Sequence, residues 1–122
     1  MNRFSVALGV PAGAIMIASS AAHSLLGWPQ LRASLARAQT PPDLITGIAV
    51  AWHFGGVAMF AFGSLVILLF VDVLRHRSVS FLPAWLIALL YTVFGCGALF
   101  VTGNPFFLIF VVPGVLLAAA SW

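Results

Sequence analysis

Polar residues are confined to a few short stretches of this chain. Between them run four nearly unbroken apolar segments, at about 4–27, 44–71, 81–102 and 105–121. A helix needs about 20 apolar residues to cross a bilayer core of roughly 30 Å. The first three segments meet that length. The fourth is short by about a turn, and it spans only with little tilt and with Trp122 anchored in the interface. The pattern predicts an all-α fold: one four-helix transmembrane bundle over residues 1–122, made of two helical hairpins.

Helix punctuation supports these boundaries. Thr40-Pro41-Pro42-Asp43 reads as a capping box, with Thr40 as the cap and a proline in the first turn. Ser80 is placed to cap the third helix, with Pro83 tolerated in its first turn. Gly103-Asn104-Pro105 stops the third helix and starts the fourth, glycine ending one and asparagine capping the next. Pro11 and Pro113-Gly114 fall inside spans and predict local kinks. In the first connector, 28–39, Leu31, Leu35 and Ala38 share a helical face that Arg32 and Arg37 avoid. That spacing predicts a short interfacial helix, with a plain polar loop as the alternative. In the second connector, Asp72 is expected to pair with Arg75 or His76, one helical turn on.

Composition makes the membrane reading firm. The chain is 63% hydrophobic and 6% charged, against about 25% charged in a soluble domain. Its charges are five arginines and two aspartates, with no lysine or glutamate. A pI near 10.6 is no nucleic-acid signal here, because the arginines are scattered and no aromatic-basic interleaving lies outside the spans. They read instead as orienting charges. Arg3, Arg75 and Arg77 fall on one side and Arg32 and Arg37 on the other, which places both termini in the cytoplasm of a multi-pass protein. Residues 3–22 also resemble a signal peptide, with a basic start, an apolar stretch and Ser20-Ala21-Ala22 as a cleavage site; an uncleaved first helix is the expectation. Cys96 is alone in an apolar run and offers no intrachain disulfide.

Small residues mark helix contacts in lipid. On the second helix Gly47, Ala51, Gly55, Met59 and Gly63 recur every four residues and predict the face of the first hairpin. Gly9, Gly13, Ala18 and Ala22 do the same on the first helix, and Gly95 on the third.

The chemistry is sparse. No carboxylate lies inside a span, no paired carboxylates suit glycosidic hydrolysis, and no HExxH, Walker loop or dinucleotide fingerprint occurs. In size and helix count the chain is similar to the small multidrug transporters. Their membrane-embedded first-helix glutamate has no counterpart here, since the chain contains no glutamate.

His23 and His53 remain as candidates, the ring-nitrogen groups inside apolar spans. Both fall toward the first connector, His23 about 6 Å from Gly27 and His53 about 14 Å from Leu44. Ser19, Gly27, Ala49 and Gly56 leave room beside them. Two such rings could hold haem b or contact a quinone between the first two helices; equally, each could hydrogen-bond across the bundle. No metal site is expected from two histidines without a third ligand. The leading expectation is a non-enzymatic accessory or small-molecule-binding bundle in the lipid bilayer, alone, as a homo-oligomer or in a larger membrane complex. A redox subunit using His23 and His53, and a small homodimeric transporter of a hydrophobic substrate, are the alternatives.

Overall fold

The structure is a computed structural model and describes residues 3–122. The side chain of Arg3, which contributes to the orientation argument, lies outside the described part. The order is α1 (Arg3–Ala22), a π-helical turn (His23–Gly27), α2 (Trp28–Arg37), α3 (Pro42–Leu74), α4 (Leu82–Thr102), a 3₁₀ turn (Pro105–Phe107) and α5 (Leu108–Ala120). No strand occurs among the described residues. Three helical stretches are long and apolar enough to cross a membrane: Phe4–Arg37, Pro42–Leu74 and Leu82–Thr102. Pro105–Ala120 is a shorter apolar helix.

The first connector is the main departure from expectation. Instead of a separate interfacial helix after a break at Gly27, the backbone stays helical from α1 through the π turn into α2. Proline explains the change of winding. Pro29 has no N–H, and in a regular α-helix its ring would press on the carbonyl four residues back, at Leu25. The wide turn over residues 23–27 absorbs that conflict without ending the helix.

The chain reverses with αL residues that are not glycine. Gln39 and His76 have φ of 55° and 57°. After α2, Gln39 N–H donates to Ala36 O and Thr40 N–H to Leu35 O, each at 3.0–3.1 Å. After α3, His76 N–H donates to Val73 O and Arg77 N–H to Asp72 O, both at 3.0 Å. These are the paired bonds of Schellman endings. The second one redirects the expected ion pair: folding back at His76 brings Arg77, not Arg75 or His76, onto Asp72, at 2.9 Å.

The expected caps are met in part. Gly103, with φ of 66°, ends α4, and Asn104 Oδ1 accepts from Phe106 N–H at 2.9 Å. Thr40 does not cap α3; Pro41 occupies that position and no side-chain cap bond forms. The proline at position 42 needs no N–H acceptor, which removes part of the need for a cap.

α1 packs on α3, α1 also on α5, and α5 on α4. Met16, Val66, Phe70 and Leu117 are fully or almost fully buried in the shared core. The contact of α1 with α3 runs antiparallel. The Phe70 ring covers Gly9, and a Cβ added at Gly63 would lie 2.7 Å from the Gly13 carbonyl. On α3 the buried positions are Gly56, Met59, Gly63, Val66 and Phe70, alternating by three and four residues. The four-residue stripe from Gly47 to Gly63 is therefore not the contact face. Each step of four turns a helix by about 40° beyond a full circle, so Gly47 lies far round the helix from Gly63. Nothing approaches the Cβ position of Gly47 within 4 Å. On the other side of the bundle, Gly95 admits Val111 and Gly114 admits Thr92, closing α4 on α5.

Candidate functional site: a polar-edged cavity beside the π turn

The π turn places one face of α1–α2 toward the starts of α5 and its 3₁₀ turn. Between them lies a cavity of about 480 Å³. Among its lining residues, Ser19, His23, Gln30, Ser34 and Trp52 have polar side-chain atoms. Leu26, Leu31, Met59, Phe106, Ile109 and Phe110 supply apolar wall. From Ser19 to Ser34 the lined face covers roughly 20 Å of helix axis.

His23 and Trp52 form the middle of the wall. Their rings stack at 4.1 Å with planes 7° apart. His23 Nε2 lies 3.0 Å from Trp52 O, and Trp52 Nε1–H donates to His23 O at 2.8 Å. A carbonyl only accepts, so Nε2 carries the hydrogen, and Nδ1 of a neutral ring is left as an acceptor. Two reciprocal side-chain-to-backbone bonds and a ring stack thus tie α1 to α3 where the α-helix changes to π. A π turn bonds i to i+5 instead of i+4, and Trp52 offers the His23 carbonyl a donor from outside the helix.

The outer end of the cavity carries the site's charge. Ser34 Oγ–H donates to Gln30 O at 3.1 Å and accepts from Arg37 Nη2–H at 3.0 Å. Arg37 therefore folds back onto Ser34, which lines this end of the cavity, although Arg37 itself is not part of the lining. No carboxylate pairs with it: among the described residues the ion pair found is Arg77 with Asp72. At the inner end Ser19 Oγ–H is committed to Ile15 O at 2.6 Å. Polarity thus falls from Arg37 inward to Met59 and Phe110.

Those two inner residues are shared with a second recess of about 180 Å³, between α3 and α4. Its wall is Ala58, Phe62, Leu90, Tyr91 and Phe94 besides. The Tyr91 hydroxyl is buried without a hydrogen-bond partner.

The two candidate histidines have different partners. His53 is exposed and meets Trp28 edge-on at 5.6 Å. It lines neither the large cavity nor the recess. The room expected beside the rings is largely taken. A Cβ at Gly27 would lie 2.9 Å from the Trp52 indole, and one at Gly56 would run into Ser24. Among the described residues no three of His, Cys, Asp and Glu come together to hold a metal ion. Trp52, Gln30, Ser34 and Arg37 are the site residues that sequence reasoning passed over. Trp52 sits in an apolar run and looks like generic core. Only the antiparallel register fixed by the Gly13–Gly63 contact sets residue 52 opposite residue 23. Compared with known proteins, the chain matches no family model, no curated sequence and no solved structure.

Proposed function

We propose that this chain is a four-span membrane protein of two helical hairpins, with both termini cytoplasmic, that acts without catalysis as a binding bundle for an amphiphilic molecule drawn from the lipid bilayer. The observation that carries this reading is the cavity along α1–α2. Its volume of about 480 Å³ falls in the range of small-molecule pockets, and it pairs apolar walls with a few convergent polar groups, as such pockets do. An apolar body gains from burial against Leu31, Met59 and Phe110. A polar end finds Gln30, Ser34 and the His23 ring. No nucleophile with an adjacent base lines the cavity, so binding rather than turnover is the chemistry these residues favour.

The test is native mass spectrometry of the protein released from mild detergent. One bound small molecule per chain is expected. Ala22 lines the cavity and is exposed, so Ala22→Phe fills the space without entering the helix contacts. The adduct should disappear in that variant. A wild-type protein with no adduct, or an adduct that Ala22→Phe leaves in place, would overturn the reading.

A further inference from the structure

The cavity has a direction, and the direction limits its ligand. At the outer end Arg37 Nη2 is 3.0 Å from Ser34 Oγ, Gln30 is one helical turn before Ser34, and among the described residues no carboxylate pairs with the guanidinium. Moving inward, the wall passes His23 and Trp52 and becomes apolar at Met59, Ile109 and Phe110. Beyond Met59 and Phe110 lies the smaller recess, whose polar and charged lining is nil apart from Tyr91. We infer that the ligand is a single-chain amphiphile with an anionic head, held by Arg37, Ser34 and Gln30, its chain running inward past Trp52 to Met59.

This inference rests on the binding function proposed above and adds the ligand class. Three features support it together. The lined face is roughly 20 Å long, the reach of one long acyl chain rather than of a compact ring system. The head end offers donors: the Arg37 guanidinium has five N–H groups in a fork suited to carboxylate or phosphate, and Gln30 adds an amide. A guanidinium beside the polar end of a mainly apolar cavity disfavours a cationic amphiphile and leaves a neutral one without a charged partner. Carboxylate and phosphate heads share this chemistry, and a long-chain fatty acid and a lysophospholipid are its two sources.

The experiment uses the full chain in phosphatidylcholine nanodiscs, with Trp28, Trp85 and Trp122 changed to Phe so that Trp52 alone emits. The probe is 9,10-dibromostearate, whose bromines quench indole on contact. Saturable quenching, reversed by unbrominated palmitate, is expected. Arg37→Gln should weaken palmitate competition about tenfold, the loss of roughly one charge-assisted hydrogen bond. Arg37 is exposed, and unchanged circular dichroism will show that the variant folds. Hexadecanol should compete at least tenfold less well than palmitate and should be indifferent to Arg37→Gln. Monoacyl phosphatidate competing better than palmitate assigns the phosphate source, and the reverse order the carboxylate source; both support the anionic class. If hexadecanol competes as well as palmitate, or Arg37→Gln changes nothing, the anionic assignment falls while the binding function stands. If no probe quenches Trp52 beyond the level seen in Ala22→Phe, the binding function itself falls with it.

Discussion

Single residues decide how close the helices of this protein come. The α1–α3 contact depends on Gly9, Gly13, Gly56 and Gly63, because each is met by another residue where its Cβ would be. In lipid there is little hydrophobic gain in bringing helices together, so stability rests on this close approach. Gly63→Leu should therefore destabilise the protein by about 1–3 kcal/mol, the usual cost of forcing extra volume into a packed contact. Gly47→Leu should change stability by less than about 0.5 kcal/mol, since its Cβ position is open. Unfolding in mixed micelles of mild detergent and dodecyl sulfate will measure both, and equal losses would count against the assigned face. Small residues do mark this contact, but the contact face follows the three-and-four spacing of the helix rather than a strict four-residue step. Four-residue spacing catches Gly55, Met59 and Gly63 yet drifts off the contact by Gly47. The alternation of three and four residues, visible as Gly56, Met59, Gly63, Val66 and Phe70, is the period that two near-parallel or antiparallel helices share.

At the scale of the element, the π turn is the feature most closely tied to the candidate site. A π turn carries one residue more than the α-helix it interrupts, and such turns recur at functional sites. Here its effect is a matter of phase. Counted as continuous α-helix, Leu31 would be turned about 120° from Ser19, while Gln30 and Ser34 would stay within about 60° of it; the wide turn at 23–27 brings Leu31 onto the wall with them. Pro29 is the local cause, so removing cause and surplus together should leave the face intact. Deleting Leu25 with Pro29→Ala should give an uninterrupted α-helix that still presents Gln30 and Ser34 to the cavity. Inserting one alanine after Gly27 should rotate α2 by about 100°, carrying Leu31 off the cavity wall and shifting Ser34 and Arg37 round the helix. Dibromostearate quenching of Trp52 will distinguish them: the deletion should retain palmitate competition and the insertion should lose its Arg37-dependent part. The reverse pattern would show that the turn itself, not the phase it sets, shapes the site. Apolar spans, loop positions and the Gly103–Asn104 reversal were legible from local sequence, because each is a local preference. The continuity of α1 into α2 was not. Proline and a polar composition both argue for a break there, and only packing of His23 against Trp52 on a different helix offsets them.

The whole molecule explains why a cavity forms where it does. α3, of 33 residues, is about 50 Å long, and α1 with its continuation is of similar length. The apolar stretch Pro105–Ala120 measures only about 24 Å. Four helices of unequal length share one level and diverge at the other end. Trp85 and Trp122 meet at 6.1 Å at the shared level. At the opposite end Phe106 and Phe107 begin the short helix while α2 and the start of α3 continue outward, and the wedge between them is the cavity. A bilayer core of roughly 30 Å leaves about 20 Å of the long pair outside it, with the αL residue Gln39 near the tip. Arg32 and Arg37 are then on one side of the membrane and Arg75 and Arg77 on the other, all four exposed. Trypsin is a direct test. With both termini cytoplasmic, protease added outside right-side-out vesicles should cut after Arg37 and release a fragment of about a third of the chain. Arg75 and Arg77 should be cut only after the membrane is opened. Cleavage after Arg77 from outside, with Arg37 protected, would invert the orientation and place the cavity mouth on the cytoplasmic side. Cleavage at both from one side would be incompatible with α3 crossing the bilayer, and the four-span arrangement would fail with it.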